Sequence, residues 1–138
     1  MSLLDLIKKQ IATAPNQIIP MQTQYTYTLS DHFKGYKKFA MCVYHEGDAE
    51  KNNKALRDTK LEGQQIVFVP GTYDQNRKKL SVFVCNKHVG TIYEKDDIYD
   101  IENGIIRKIY AKMEDDVVIA KEGAITRPRI HLFVKRGD

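Results

Sequence analysis

The residues best suited to chemistry stand together in one stretch. In Val69-Pro70-Gly71-Thr72-Tyr73-Asp74-Gln75-Asn76 a tyrosine, an aspartate and an asparagine fall between two apolar runs, directly ahead of Arg77-Lys78-Lys79. An aromatic ring can stack on a nucleobase. A carboxylate and an amide can bond base edges or a sugar hydroxyl, and cationic side chains can meet phosphate. Those are the parts of a loop that binds single-stranded nucleic acid. The same residue types also serve a turn, because Asp and Asn favour turn conformations and a tyrosine can pack at a sheet rim. On the residues alone both readings stand.

Nothing comparable points to catalysis. The chain has no Gly-x-Ser-x-Gly, no phosphate-cradling Gly-x-x-x-x-Gly-Lys, and no Cys-x-x-Cys or His-x-x-x-His spacing. The histidines His32, His45, His88 and His131 are scattered, and Cys42 and Cys85 lie 43 positions apart. His45 and Glu46 are neighbours, but adjacent strand residues point to opposite faces and cannot act as an acid–base pair. His131, between Ile130 and Leu132, reads as a surface-facing or hydrogen-bonded strand residue. No catalytic residue, metal ligand or cofactor is nominated, and the expectation is a protein without enzymatic activity.

Composition frames the same picture. A chain of 138 residues, 42% hydrophobic and 29% charged, suits one domain with a buried core and is too apolar for a disordered segment. No apolar run approaches the roughly 18 residues of a membrane span. Met1 to Lys9 lacks a basic stretch ahead of an apolar one, so no secretory leader is expected. Cys42 and Cys85, each in an apolar run, read as buried reduced thiols of a cytoplasmic protein. The net charge is +4, and all of it lies before Lys95: 13 basic against 9 acidic groups there, nine of each afterwards. A local basic strip at Arg77, Lys78, Lys79 and Lys87 suits a polyanion and equally suits a solvated strand face.

The elements that would position these residues are mostly strands. Leu3, Leu4, Ile7 and Ile11 share one helical face, and Pro15 and Pro20 bracket a connector after it. Strands are predicted over Met21–Leu29, Tyr36–His45, Gln65–Val69 (closed by Pro70-Gly71) and Lys79–Cys85. Asn86-Lys87-His88 is read as a tight turn into Val89–Tyr93, and Val117–Ala120 and Ile130–Val134 as the closing strands. A short helix is expected around Ala49–Arg57, anchored by Ala55 and Leu56. Helical spacing of Ile98, Ile101, Ile105, Ile106 and Ile109 predicts a second helix over Asp97–Ala111, with acids at its N-terminal end. The fold class is mainly β: a small, partly open barrel of six or seven short antiparallel strands with one or two helices. Residues 1–20 form an N-terminal helix and connector, and residues 21–138 the single domain.

The order of these pieces resembles a HIRAN domain. That family carries an Asn-Pro-Tyr-Asp-x-Asn-Ala-Ile segment, then a strand, then Val/Ile-Gly-Tyr/His, with an aromatic-rich strand about thirty residues earlier. Here Tyr73, Asp74 and Asn76 coincide with the Tyr, Asp and second Asn. Gly71-Thr72 replace the Asn-Pro, and Arg77-Lys78-Lys79 stand where Ala-Ile would begin, with an insertion of two. Val89-Gly90-Thr91 follows, and Val43-Tyr44-His45 takes the place of the basic residue and its paired aromatics. The likeness covers about residues 36–135. It implies an OB-like barrel that binds the 3′ end of single-stranded DNA in a pocket. Tyr44 and His45 would stack on terminal bases, Tyr73 would line the pocket, and Asp74 would accept a hydrogen bond from the 3′-hydroxyl. Asn76, Arg77, Lys78 and Lys79 would complete the nucleic-acid contacts. The implied partners are single-stranded DNA and a helicase or other DNA-processing protein in trans, with no membrane. A protein-interaction domain that kept the barrel and lost the pocket is the alternative.

Overall fold

Alternation of apolar residues builds the central hairpin. In β2 (Gln65–Tyr73) Ile66 and Phe68 are fully buried, and in β3 (Arg77–Val84) so are Leu80, Val82 and Val84. Register sets Ile66 opposite Val84 and Phe68 opposite Val82, so the buried side chains share one face of the sheet. The computed structural model describes residues 23–31, 41 and 43–137. The predicted N-terminal helix, its connector, residues 36–40 of the predicted second strand and Cys42 lie outside them.

Two turn assignments are corrected. Pro70-Gly71 does not end β2, which runs on to Tyr73 opposite Arg77. The preceding strand β1 (Tyr25–Thr28) pairs with Gln65–Phe68 and so stops short of Pro70. The turn is instead Asp74–Arg77, closed by Arg77 N–H donating to Asp74 O at 3.3 Å, with Gln75 and Asn76 at φ of 55° and 62°. Likewise, Lys87 already pairs with Val84, and the second hairpin turns on Cys85 and Asn86, at φ of 52° and 62°. Two successive positive φ values are those of a type I′ turn, whose twist matches the flanking strands. Cys85 is therefore a part-exposed turn residue, its Sγ 3.5 Å from Gln64 Oε1, and not a buried strand thiol.

Of the predicted Met21–Leu29 strand, Tyr25–Thr28 forms β1, with Tyr25 and Tyr27 packed on the core. Among the described residues Met41 bridges to Leu132 and Tyr44 to Thr91. The first helix, α1 (Ala49–Ala55), is anchored by Ala49, Asn53 and Leu56, while Ala55 is exposed. After β4 (Lys87–Ile92), the second helix, α2, spans only Lys95–Glu102. Gly104, at φ 69°, terminates it: Gly104 N–H donates to Ile101 O (3.3 Å) and Ile105 N–H to Asp100 O (2.9 Å), the bond pattern of a Schellman motif. Ile106 and Ile109 consequently belong to a strand, β5 (Ile106–Ala120), which pairs along its length with β6 (Gly123–Arg136).

The protein is mainly β, with antiparallel sheets ordered β1-β2-β3-β4 and β5-β6. Neither sheet closes into a barrel, and of the six strands described two are long, at 15 and 14 residues. Among the described residues the sheets meet through a few specific bonds. Ser30 N–H donates to Ile109 O at 2.9 Å, and the Tyr27 hydroxyl to Ile106 O at 3.0 Å, joining the β1 end to β5. On the other side Asn53 spans the gap with no solvent exposure. Its Nδ2 donates to Ala49 O (2.7 Å) and Val89 O (2.8 Å), and its Oδ1 accepts from Ile130 N–H (2.9 Å). One amide side chain thus satisfies groups on β4 and β6 together, as buried polar atoms require.

Candidate nucleic-acid interface

Residues on the face of the first sheet away from the core follow from register: Gly71 and Tyr73 of β2, Arg77, Lys79 and Ser81 of β3, and Thr91 of β4. Tyr93 follows β4 directly. Tyr44 is clipped beside this face by two backbone bonds, its N–H to Thr91 O (2.8 Å) and Thr91 N–H to its carbonyl (2.9 Å). The clip needs Gly90, because a Cβ there would lie 2.8 Å from Tyr44 O and collide with the Val43 side chain. The result is a row of three rings. Tyr44 lies 5.8 Å from Tyr93, tilted by 57°, and Tyr93 lies 4.8 Å from Tyr73, edge to face. Tyr44 is 49% exposed, and Tyr73 and Tyr93 are half-buried.

Tyr93 is the member that the sequence reading placed in a strand without giving it a role. Its hydroxyl donates to Glu46 Oε1, while Thr91 Oγ1 donates to Glu46 Oε2 at 3.3 Å. The available signal was parity: Thr91 and Tyr93 share a face once Tyr44 is set against Thr91. Beside the row opens a cleft of about 970 Å³, lined by Tyr73, Asn76, Arg77 and Lys78 of the hairpin, by Tyr93, and by Lys95, Tyr99 and Glu102 of α2.

The expected basic strip is divided by strand alternation. Arg77 and Lys79 lie on the outer face, and among the described residues neither is held in an ion pair. Lys79 extends across Gly71, where an added Cβ would stand 3.4 Å from its Cε. Lys78 has the opposite parity and pairs with Glu102 of α2 at 3.2 Å.

Asp74 and Asn76 are both exposed at the hairpin tip. Asn76 lines the cleft and Asp74 does not. His45 is separated from the ring row. It is half-buried, and among the described residues neither ring nitrogen has a hydrogen-bond partner. Burial first, and the Arg127 and Arg129 charges second, lower its pKa from the ordinary histidine value and keep the ring neutral. Of these two neighbours Tyr44 alone joins the ring row, in keeping with the opposite directions of adjacent residues. His131 is a hydrogen-bonded strand residue, its Nε2 3.1 Å from Asp116 Oδ1.

A carboxyl with a raised pKa lies behind α2. Asp97, 6% exposed, faces the Arg136 guanidinium at 2.9 Å. Burial raises its pKa to about 6, Arg136 opposing the rise and Glu94, Asp100 and Asp96 adding to it. Among the described residues no group of three His, Cys, Asp or Glu converges as metal ligands, and no helix is long and apolar enough to cross a membrane. Set against family models, curated proteins and solved structures, the chain matches none of them.

Proposed function

We propose that this protein is a non-enzymatic module that binds single-stranded nucleic acid, taking a DNA end with a free 3′-hydroxyl. The observation that carries the reading is the ring row Tyr44–Tyr93–Tyr73, partly open to solvent beside Arg77 and Lys79, which among the described residues are held in no ion pair. Stacking platforms next to backbone-neutralising charges are how sequence-tolerant single-strand binders work. Asn76, on the cleft wall, is the proposed partner of a base edge. Asp74, at the tip, is the proposed hydroxyl acceptor on the strength of the HIRAN resemblance. The same resemblance proposes a DNA-processing protein in trans as partner.

The fold supports a HIRAN-like, partly open barrel in outline. Passing from β1 through β2, β3 and β4, the next neighbour is the Tyr44 bridge, then Met41 against β6, then β5, whose Ile109 carbonyl meets Ser30 after β1. These isolated contacts between the two open sheets are what supports the barrel reading.

Fluorescence anisotropy with short labelled strands, bearing free or 3′-phosphorylated ends, tests the function. Expected is binding whose log K falls with log salt by about 0.7 per phosphate contact, and a flatter slope for Arg77→Ala with Lys79→Ala. Tyr93→Ala should cost about 1–3 kcal/mol with the slope unchanged. Asp74→Ala should weaken binding to the free end and spare the blocked one. A second reading, a protein-interaction surface, is favoured by Glu46 at Tyr93 and Glu102 at Lys78, which place carboxylates around the row and cleft. Absence of binding at micromolar protein in low salt would select it.

A further inference from the structure

Among the described residues five large apolar side chains are exposed, and three of them, Val117 (66%), Ile119 (88%) and Ile125 (46%), sit on the outer end of the β5–β6 hairpin. The other two, Tyr44 and Tyr99, belong to the row and cleft above. Among the described residues the hairpin from Val117 to Thr126 pairs only with itself, and no backbone bond ties this end to the body. A two-stranded ribbon of this kind offers unpaired edge groups to another strand. Charges bracket the apolar run on β5, with Asp115 and Asp116 before it and Lys121 after it.

We propose that the outer end of β5 is a self-association edge, pairing antiparallel with the same strand of a second copy about a twofold axis at position 118. An edge strand turns its backbone groups outward at every second residue. A twofold pairing therefore satisfies them only when its axis passes through a residue, not between two residues. Four such axes lie within the run, and the one at 120 sets Ile119 against Lys121. An axis at 117 sets Asp115 against Ile119, and one at 119 sets Asp116 against Glu122. The axis at 118 sets Val117 against Ile119 and Asp115 against Lys121, all on one face. Apolar then meets apolar and acid meets base, the self-complementarity that an isologous interface requires. Arg57 already holds Asp115 at 2.6 Å, so the second copy's Lys121 joins an existing pair and the apolar contact supplies the attraction.

Sedimentation equilibrium of the full chain from micromolar to submillimolar concentration tests this. Expected is a reversible monomer–dimer equilibrium that Ile119→Lys weakens by about tenfold or more. At 88% exposure that change leaves the fold intact. In a Cys42→Ser, Cys85→Ser background, Val118→Cys should give a reducible covalent dimer and Val117→Cys should not. A monomer throughout, a dimer indifferent to Ile119→Lys, or cross-linking at 117 in place of 118 overturns the proposal. So does a monomer that binds phosphatidylcholine vesicles through this hairpin.

Discussion

Replacing Asn53 by alanine should be among the most damaging single changes available in this protein. Its amide sits at 0% exposure and serves three backbone groups: Ala49 O, Val89 O and Ile130 N–H. Ala49 O lies inside α1 and loses a bond from a carbonyl that the helix itself can satisfy. Val89 O on β4 and Ile130 N–H on β6 have no such reserve, and alanine leaves both dry and unpaired. An unsatisfied buried group costs about 1–3 kcal/mol, so the pair is worth about 2–6 kcal/mol. Against a typical total of about 5–15 kcal/mol, such a loss removes a large share of the stability. Neighbouring Asn52 supplies the control. Among the described residues its side chain bonds only His88 O, at 2.8 Å, and it is not fully buried, so Asn52→Ala should cost about 1 kcal/mol or less. Urea denaturation followed by far-ultraviolet circular dichroism would measure both. If Asn53→Ala shifted the midpoint no more than Asn52→Ala, at equal m-value, the joint between the sheets would not rest on this amide.

Asp97 gives a pH signature of defined sign. Its folded pKa is raised from 3.8 to about 6, so its contribution is present in full below pH 4 and is lost as pH rises through 6. The shift corresponds to at most about 3 kcal/mol. Asp97→Asn should therefore lose less stability than the parent between pH 4 and pH 7, and parallel profiles would refute the assignment. Gly90→Ala should loosen the Tyr44 clip, because the new methyl meets Tyr44 O at 2.8 Å. Faster hydrogen exchange at the Tyr44 and Thr91 amides, with β3 unaffected, is the expected readout.

Much of the fold was legible because its signals are local. Leu80, Val82 and Val84 alternate against part-exposed neighbours, and that period appears in the buried face of β3. Helix α2 was overextended for an equally local reason. Ile105, Ile106 and Ile109 fit a helical period, yet the left-handed Gly104 ends the helix before them, and an isoleucine-rich run suits a strand as well. Cys85 was read as a strand residue because nothing in Val84-Cys85-Asn86-Lys87 marks which pair turns; the register of β3 against β4 decides it. The site was legible in its hairpin half. Tyr73, Asn76 and Arg77 line one cleft, but that Tyr93 joins Tyr73 to Tyr44 depends on the long-range Tyr44–Thr91 bridge. Asn53 gave no signal at all, since a polar residue in a polar helix looks solvated until a partner sheet arrives.

The two-bond clip at Tyr44 has a dynamic corollary. Among the described residues the segment around Tyr44 is held by this bridge, by the Arg129 guanidinium donating to Val43 O and by the buried Val43 side chain, and a segment without a continuous ladder can detach at a free energy below that of global unfolding. When it does, Tyr93 loses one ring neighbour and keeps Tyr73, because that pair is carried by the sheet. The row then shortens from three rings to two while β2, β3 and β4 stay registered. Any occupant contacting all three rings would bind the closed form alone and so slow the opening of the clip. The protein therefore has a built-in reporter of occupancy in the exchange rate of the Tyr44 amide.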